Sequence, residues 1–96
     1  MERRKLNSDE VADKLRALDG WHSDGEKLTR KYTFGNFAEA LAFVNRVGEI
    51  AEAADHHPDI WFGWGYAEIS TTTHDRGGVT DVDIDLATNI NRLPLN

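Results

Sequence analysis

A chain of 96 residues with 40% apolar content, a net charge of −6 and no cysteine is bounded before any motif is read. That length carries one hydrophobic core, hence a single domain over residues 1–96, and buries only about 60–65% of the surface its unfolded form exposes. Without cysteine there are no disulfides, thiolate nucleophiles or Cys-based zinc sites; the acidic balance argues against nucleic-acid binding, and no run of about 20 apolar residues could span a bilayer. The expectation is a cytoplasmic protein that touches neither nucleic acid nor membrane and leans on self-association to supplement a small core.

Asn7-Ser8-Asp9-Glu10 opens a first helix with Ser8 as the expected N-cap, and Val11, Leu15 and Leu18 form its apolar stripe. Asp19-Gly20 ends it. Trp21-His22-Ser23 reads as a short strand, Asp24-Gly25 as a tight turn, and Lys27 to Phe34 as the returning strand. Leu28, Tyr32 and Phe34 share its packed face, while Lys27, Thr29, Lys31 and Thr33 point to water.

The longest helix runs from Phe37 to Ala54, after Gly35-Asn36. It carries two apolar stripes, Phe37/Leu41/Val44/Gly48/Ala51 and Ala40/Phe43/Val47/Ile50/Ala54, a wider arc than one sheet contact requires. We assign the extra stripe to the core, with a second subunit as the alternative. Pro58 stops the helix. Asp59 to Trp64 and Tyr66 to His74 read as two strands around Gly63-Trp64-Gly65, with His74 on the side of Tyr66, Glu68, Ser70 and Thr72. A loop over Asp75-Arg76-Gly77-Gly78 leads to a last helix, where Thr80 caps, Asp83 completes the capping box and Val79 staples to Ile84. Val82, Leu86, Ile90 and Leu93 continue it. The order α-β-β-α-β-β-α predicts an α+β fold, a four-stranded antiparallel sheet covered on one face by helices.

Chemistry concentrates in Glu52-Ala53-Ala54-Asp55-His56-His57-Pro58, with Trp61 and His74 downstream. Glu52 and His56 share a face if the helix persists that far. Three bare readings stay open: solvent-exposed imidazoles, a His/carboxylate metal site, and general acid–base chemistry without metal, for which His is suited near neutral pH. Adjacent histidines are not the i, i+4 pair of a His-Glu-x-x-His zinc site. Asp81, Asp83 and Asp85 fail as a calcium loop, because Leu86 stands at the glycine position and Arg92 at the twelfth. Trp61, Trp64 and Tyr66 could wall a flat ligand or belong to the core.

At these residues the chain resembles the pterin-4a-carbinolamine dehydratases, whose signature reads here as Glu52-x3-His56-His57-Pro58, Trp61, His74 and Asp83. The resemblance implies dehydration of 4a-hydroxytetrahydropterin to quinonoid dihydropterin in tetrahydropterin recycling, without cofactor or metal, by a homodimer or homotetramer. It implies His57 at the reacting centre, His56 and His74 as alternating acid and base, Glu52 and Asp55 as substrate-binding or histidine-orienting groups, and Thr72 and Thr73 as polar contacts to the pterin. Trp61 would be the aromatic wall, with Phe62 as the alternative because Ile60 lengthens the spacing. Asp83 also matches, and we favour helix capping for it, with any catalytic effect indirect. Some relatives of this fold act instead as assembly or regulatory proteins; those would be expected to lose part of the histidine triad, which is intact here.

Overall fold

The computed structural model describes residues 4–95. In chain order it contains α1 (Ser8–Leu15), β1 (His22–Ser23), β2 (Leu28–Thr33), α2 (Phe37–Ala54), β3 (Asp59–Gly63), β4 (Tyr66–Thr71), a 3-10 turn (His74–Arg76) and α3 (Asp81–Asn91). All strand pairs are antiparallel in the order β1-β2-β4-β3, so the expected α+β architecture is present. Because β4 inserts between β2 and β3, α2 must carry the chain across it, and 18 residues give about 27 Å for that crossing.

Alternation along the strands decides what meets the helices. Leu28 and Tyr32 of β2 and Ala67, Ile69 and Thr71 of β4 are buried, whereas Lys31, Thr33 and Tyr66 are exposed on the other face. Onto the inner face pack Phe43 and Val47 of α2, Leu86, Ala87 and Ile90 of α3, and Leu6, Val11, Leu18 and Trp21 from the N-terminal segment. Phe43 sits between Tyr32 and Phe34, with ring centroids at 4.5 and 5.2 Å.

Several local expectations are corrected. Asn7, not Ser8, caps α1: its side chain accepts from the Glu10 backbone while Glu10 returns to the Asn7 backbone. Asn places its oxygen as well as Ser, and only from position 7 does Glu10 fall three residues on. α1 stops at Leu15, with Leu18 buried in the following turn, and β1 omits Trp21, which is buried with its indole N–H on Asn91. β4 ends at Thr71, short of His74. The extra stripe of α2 is not uniformly core, since Phe37 and Leu41 are exposed. Ala54, at the end of the other stripe, is exposed as well.

The C-terminal end of α3 is fastened by Asn91. Its Oδ1 accepts from Trp21 Nε1, Arg30 NH1 and Tyr32 OH, at 2.8, 2.8 and 2.9 Å, and its Nδ2 donates to the Asp19 carbonyl. Arg30 also lies over the Tyr32 ring at 4.2 Å. Asn91→Ala would remove the shared acceptor of Trp21 and Tyr32 at a half-buried site, while Arg30 keeps the Asp19 carbonyl, so urea denaturation should show a loss of about 1–3 kcal/mol.

Glu10 gives a pH signature. Hydrogen bonds from Arg4 and from the Asn7 backbone lower its pKa to about 2. A carboxylate depressed on folding adds stability above its unfolded pKa, and that stability is lost as pH falls through the folded value. Glu10→Gln should therefore flatten the stability profile between about pH 4.5 and pH 2, measured by urea midpoints across that range.

Candidate functional site

The antiparallel register brings three chain segments to one end of the sheet. β3 begins and β4 ends there, with Asp59 opposite Ser70, and β2 also begins there, with Leu28 opposite Thr71. His56 and His57 precede β3, Thr72 to His74 follow β4, and Glu26-Lys27 precede β2. Thr72 ties two of these segments together by donating its hydroxyl to the Glu26 carbonyl at 2.6 Å.

The two adjacent histidines part company at Asp55. Asp55 closes α2 in the left-handed conformation (φ 50°), a geometry that Asp tolerates better than most residues. The Asp55 amide donates to the Glu52 carbonyl and the His56 amide to the Ala51 carbonyl, the bond pair of a Schellman motif. Beyond this turn the extended chain sends successive side chains in opposite directions. His56 turns inward and is buried; His57 turns out and pairs through Nε2 with Glu52. The partner of Glu52 is thus His57 rather than His56, because the helix ends before the i, i+4 relation can form.

Asp83 is the centre of the buried half of the site, with 0% exposure. One carboxylate oxygen, Oδ1, meets His56 Nε2 and the Thr71 hydroxyl, both at 2.6 Å. The other, Oδ2, accepts from the Thr73 hydroxyl at 2.7 Å and from the Thr80 backbone at 3.0 Å. The last of these bonds completes the capping box of α3, so the expected cap is present alongside a contact to His56. The positive end of the α3 dipole favours the negative charge at this position.

The remaining candidates are dispersed around this centre. Thr73 is buried in the Asp83 network, so its hydroxyl faces the carboxylate rather than the surface. His74, expected on a strand, begins an exposed 3-10 turn and lines a cavity of about 230 Å³ with Glu26, Lys27, Thr72 and Gly77. Asp55 is exposed at its helix end. Trp61, 51% exposed, points to the outer sheet face opposite Glu68, whereas Phe62 is half-buried against Phe37. Since His56 lies on the helix side, a ligand touching both His56 and Trp61 has to pass around the β3 edge.

Sequence reasoning overlooked Thr71, Thr80 beyond its cap, and Glu26-Lys27. Thr71 carried a usable signal: it is a polar residue at the same strand parity as Ala67 and Ile69, and such a residue needs a buried partner. Among the described residues, no group of three or more His, Asp or Glu is arranged to hold a metal ion. None of the helices is long and apolar enough to cross a membrane, again among the described residues.

Fold and site together define an α+β domain with a histidine–carboxylate cluster at one end of its sheet. The chain belongs to the pterin 4 alpha carbinolamine dehydratase family, whose sequence profile matches residues 4–93. A relative from Rubrobacter xylanophilus, provisionally named as such a dehydratase, is 49% identical over 92% of this chain and 83% of its own. One from Thermomicrobium roseum, named in the same way, is 47% identical over 86% of this chain and 89% of its own. Among solved structures, the Brucella melitensis transcriptional coactivator/pterin dehydratase superposes with a TM-score of 0.86 at 37% identity, covering 92% of this chain and 96% of that one. A pterin dehydratase-like protein described as a RuBisCO assembly factor of the alpha-carboxysome shares the fold, with a TM-score of 0.65 at 23% identity over 75% of this chain and 86% of that one.

The two histidine–carboxylate pairs should respond very differently to mutation. Glu52→Gln removes one partner of an exposed pair and should change stability by less than about 0.5 kcal/mol. Asp83→Ala leaves four buried donors without an acceptor and should cost about 3 kcal/mol or more. Parallel chemical denaturation of the two variants checks the contrast.

Proposed function

We propose that this protein is a hydro-lyase that dehydrates 4a-hydroxytetrahydropterin to quinonoid dihydropterin by histidine acid–base catalysis, in support of tetrahydropterin recycling. The observation that carries the reading is the gathering of His56, His57 and His74 at one end of the sheet in a chain of this family. In the reaction the C4a–O bond breaks and the departing hydroxide takes a proton, leaving as water. N5 gives up its proton, and the electron pair of its N–H bond becomes the second bond between N5 and C4a. Nothing is oxidised or reduced overall, so one imidazolium as donor and one neutral imidazole as acceptor suffice.

In this mechanism His57 contacts the reacting centre, and its exposure at the end of α2 leaves it accessible to a ligand. His56 and His74 exchange the roles of acid and base, from the buried and exposed sides of the site respectively. Glu52 orients His57, Thr72 and Asp55 bind substrate at the rim, and Trp61 offers a flat surface beyond the β3 edge. The working form is a homodimer or homotetramer. Support comes from the exposed Phe37 and Leu41 on α2, from Trp61 on the edge strand β3 and Trp64 just after it, and from the small size of the core.

The rival is a non-catalytic assembly or regulatory role; the structural relative in the alpha-carboxysome is described as a RuBisCO assembly factor. A dehydratase assay on generated 4a-hydroxytetrahydropterin separates the two. Wild-type protein should accelerate dehydration, and His57→Ala, shown to be folded by circular dichroism, should lose about 10²-fold or more in kcat. Full activity in His57→Ala would refute the assigned mechanism. No turnover and no pterin binding by the wild type would favour the assembly role.

A further inference from the structure

We propose that Asp83 is a positioning residue that holds His56 in its Nε2–H tautomer, so that Nδ1 is the proton-accepting nitrogen offered to a ligand. The inference rests, for its catalytic meaning, on the dehydratase reading above. Its geometric part stands independently.

The directions of the hydrogen bonds around Asp83 can be worked out one after another. The Val82 amide donates to Thr80 Oγ1 at 3.2 Å, and Thr80 Oγ1 lies 2.9 Å from Thr73 Oγ1. Thr73 has a single hydroxyl proton and spends it on Asp83 Oδ2, so the proton between the two threonines belongs to Thr80. The chain therefore runs one way, from the α3 N-terminus through Thr80 and Thr73 to the carboxylate. The Thr80 amide, which can only donate, reaches Oδ2 as well. Thr71 supplies a hydroxyl to Oδ1. The carboxylate carries no proton to give, so it accepts a hydrogen bond from His56 Nε2–H as well, at 2.6 Å.

The other ring nitrogen is then fixed by elimination. Among the described residues Nδ1 of His56 has no protein partner, and no buried side-chain nitrogen or oxygen lacks one, so Nδ1 is not sealed inside the protein. In the dehydration Nδ1 takes the N5 proton, and the resulting imidazolium keeps its Nε2–H on Asp83. The proton later passes from Nδ1 to water or to the next departing hydroxide, which restores the starting tautomer.

Asp83→Asn is the discriminating variant because an amide has one accepting end. The Thr80 amide cannot accept a hydrogen bond, so the Asn oxygen must face Thr80 and Thr73, and its NH2 must face Thr71 and His56. Thr71 can rotate its hydroxyl to accept. His56 Nε2 must also become an acceptor, which moves the ring proton to Nδ1 and closes the offered base.

The experiment is long-range ¹H–¹⁵N NMR of the four imidazoles in the ligand-free full chain, at about pH 8.5 where an ordinary histidine is neutral. His56 is assigned by elimination from spectra of His22→Ala, His57→Ala and His74→Ala, all at exposed positions. Wild type should show His56 as the Nε2–H tautomer, and Asp83→Asn should show Nδ1–H. Thr71→Val, which removes one donor but leaves the His56 bond, should keep Nε2–H even though it is less stable. An Nδ1–H or doubly protonated His56 in the wild type overturns the proposal, as does an unchanged tautomer in a folded Asp83→Asn. If Asp83→Asn does not fold, the wild-type and Thr71→Val spectra still decide. In the dehydratase assay Asp83→Asn should lose about 10²-fold or more in kcat with KM within about threefold. An Nε2–H wild type that turns over no pterin sinks the dehydratase reading and leaves the tautomer assignment standing.

Discussion

A carboxylate with no solvent exposure sits at the start of α3, and much of the surrounding structure can be understood as its solvation. Removing such a group from water costs several kcal/mol unless its lone pairs are met by good donors. Asp83 meets that requirement with four of them, drawn from β4, from the loop after it, from the α3 N-terminus and from the α2–β3 junction. Each donor constrains its own segment. Thr71 holds the last residue of β4 at core parity, and Thr73 holds the chain just before the 3-10 turn, where its backbone also bridges to Gly78. His56 must turn inward directly after α2. A single polar centre therefore joins three elements that hydrophobic packing alone would leave free to slide.

The requirement that His56 turn inward explains the conformation of Asp55. A helix continued through His56 would send that ring along the helix surface toward Glu52, away from Asp83. The left-handed turn at Asp55 reverses the chain, and its cost of about 1–2 kcal/mol is offset by the two amide bonds of the helix-ending motif and by the buried bond to Asp83. Two neighbouring imidazoles thereby acquire opposite characters. His56 is held by a buried network and has one orientation; His57 is exposed, and its partner Glu52 is exposed as well, so it can adjust to whatever docks beside it. Proton transfer to a ring that must be met at a set angle suits the first kind of residue, and contact with substrates of varied shape suits the second.

Local periodicity made the element order and the packed face of β2 legible in the sequence, because those depend on alternation and capping within a few residues. Asn7 and Ser8 both suit an N-cap, and only the reciprocal bond with Glu10 separates them. Strand propensity at Thr72 and Thr73 extends the expected β4 to His74, but the strand ends at Thr71 and their hydroxyls are committed to Glu26 and Asp83. The histidines and Glu52 were legible as a cluster, yet their pairing was not. Which carboxylate serves which imidazole depends on one backbone angle at Asp55, and nothing in the spacing declares it.

Asp83 shows why a choice between structural and functional roles misleads at such a site. Capping and an indirect effect on catalysis need not compete for one side chain. A carboxylate has two oxygens, and here they divide the work: Oδ2 closes the capping box with the Thr80 amide, and Oδ1 meets His56. The cap also serves the histidine, because it fixes the carboxylate's orientation and so leaves Oδ1 at hydrogen-bonding distance from the ring. The histidine serves the cap in turn, as one of the donors that make a fully buried charge tolerable. A substitution at position 83 therefore lowers stability and misplaces a proton through the same bonds, and separating the two effects requires a change such as Asp83→Asn, which keeps an acceptor for the helix end and reverses the one that faces His56.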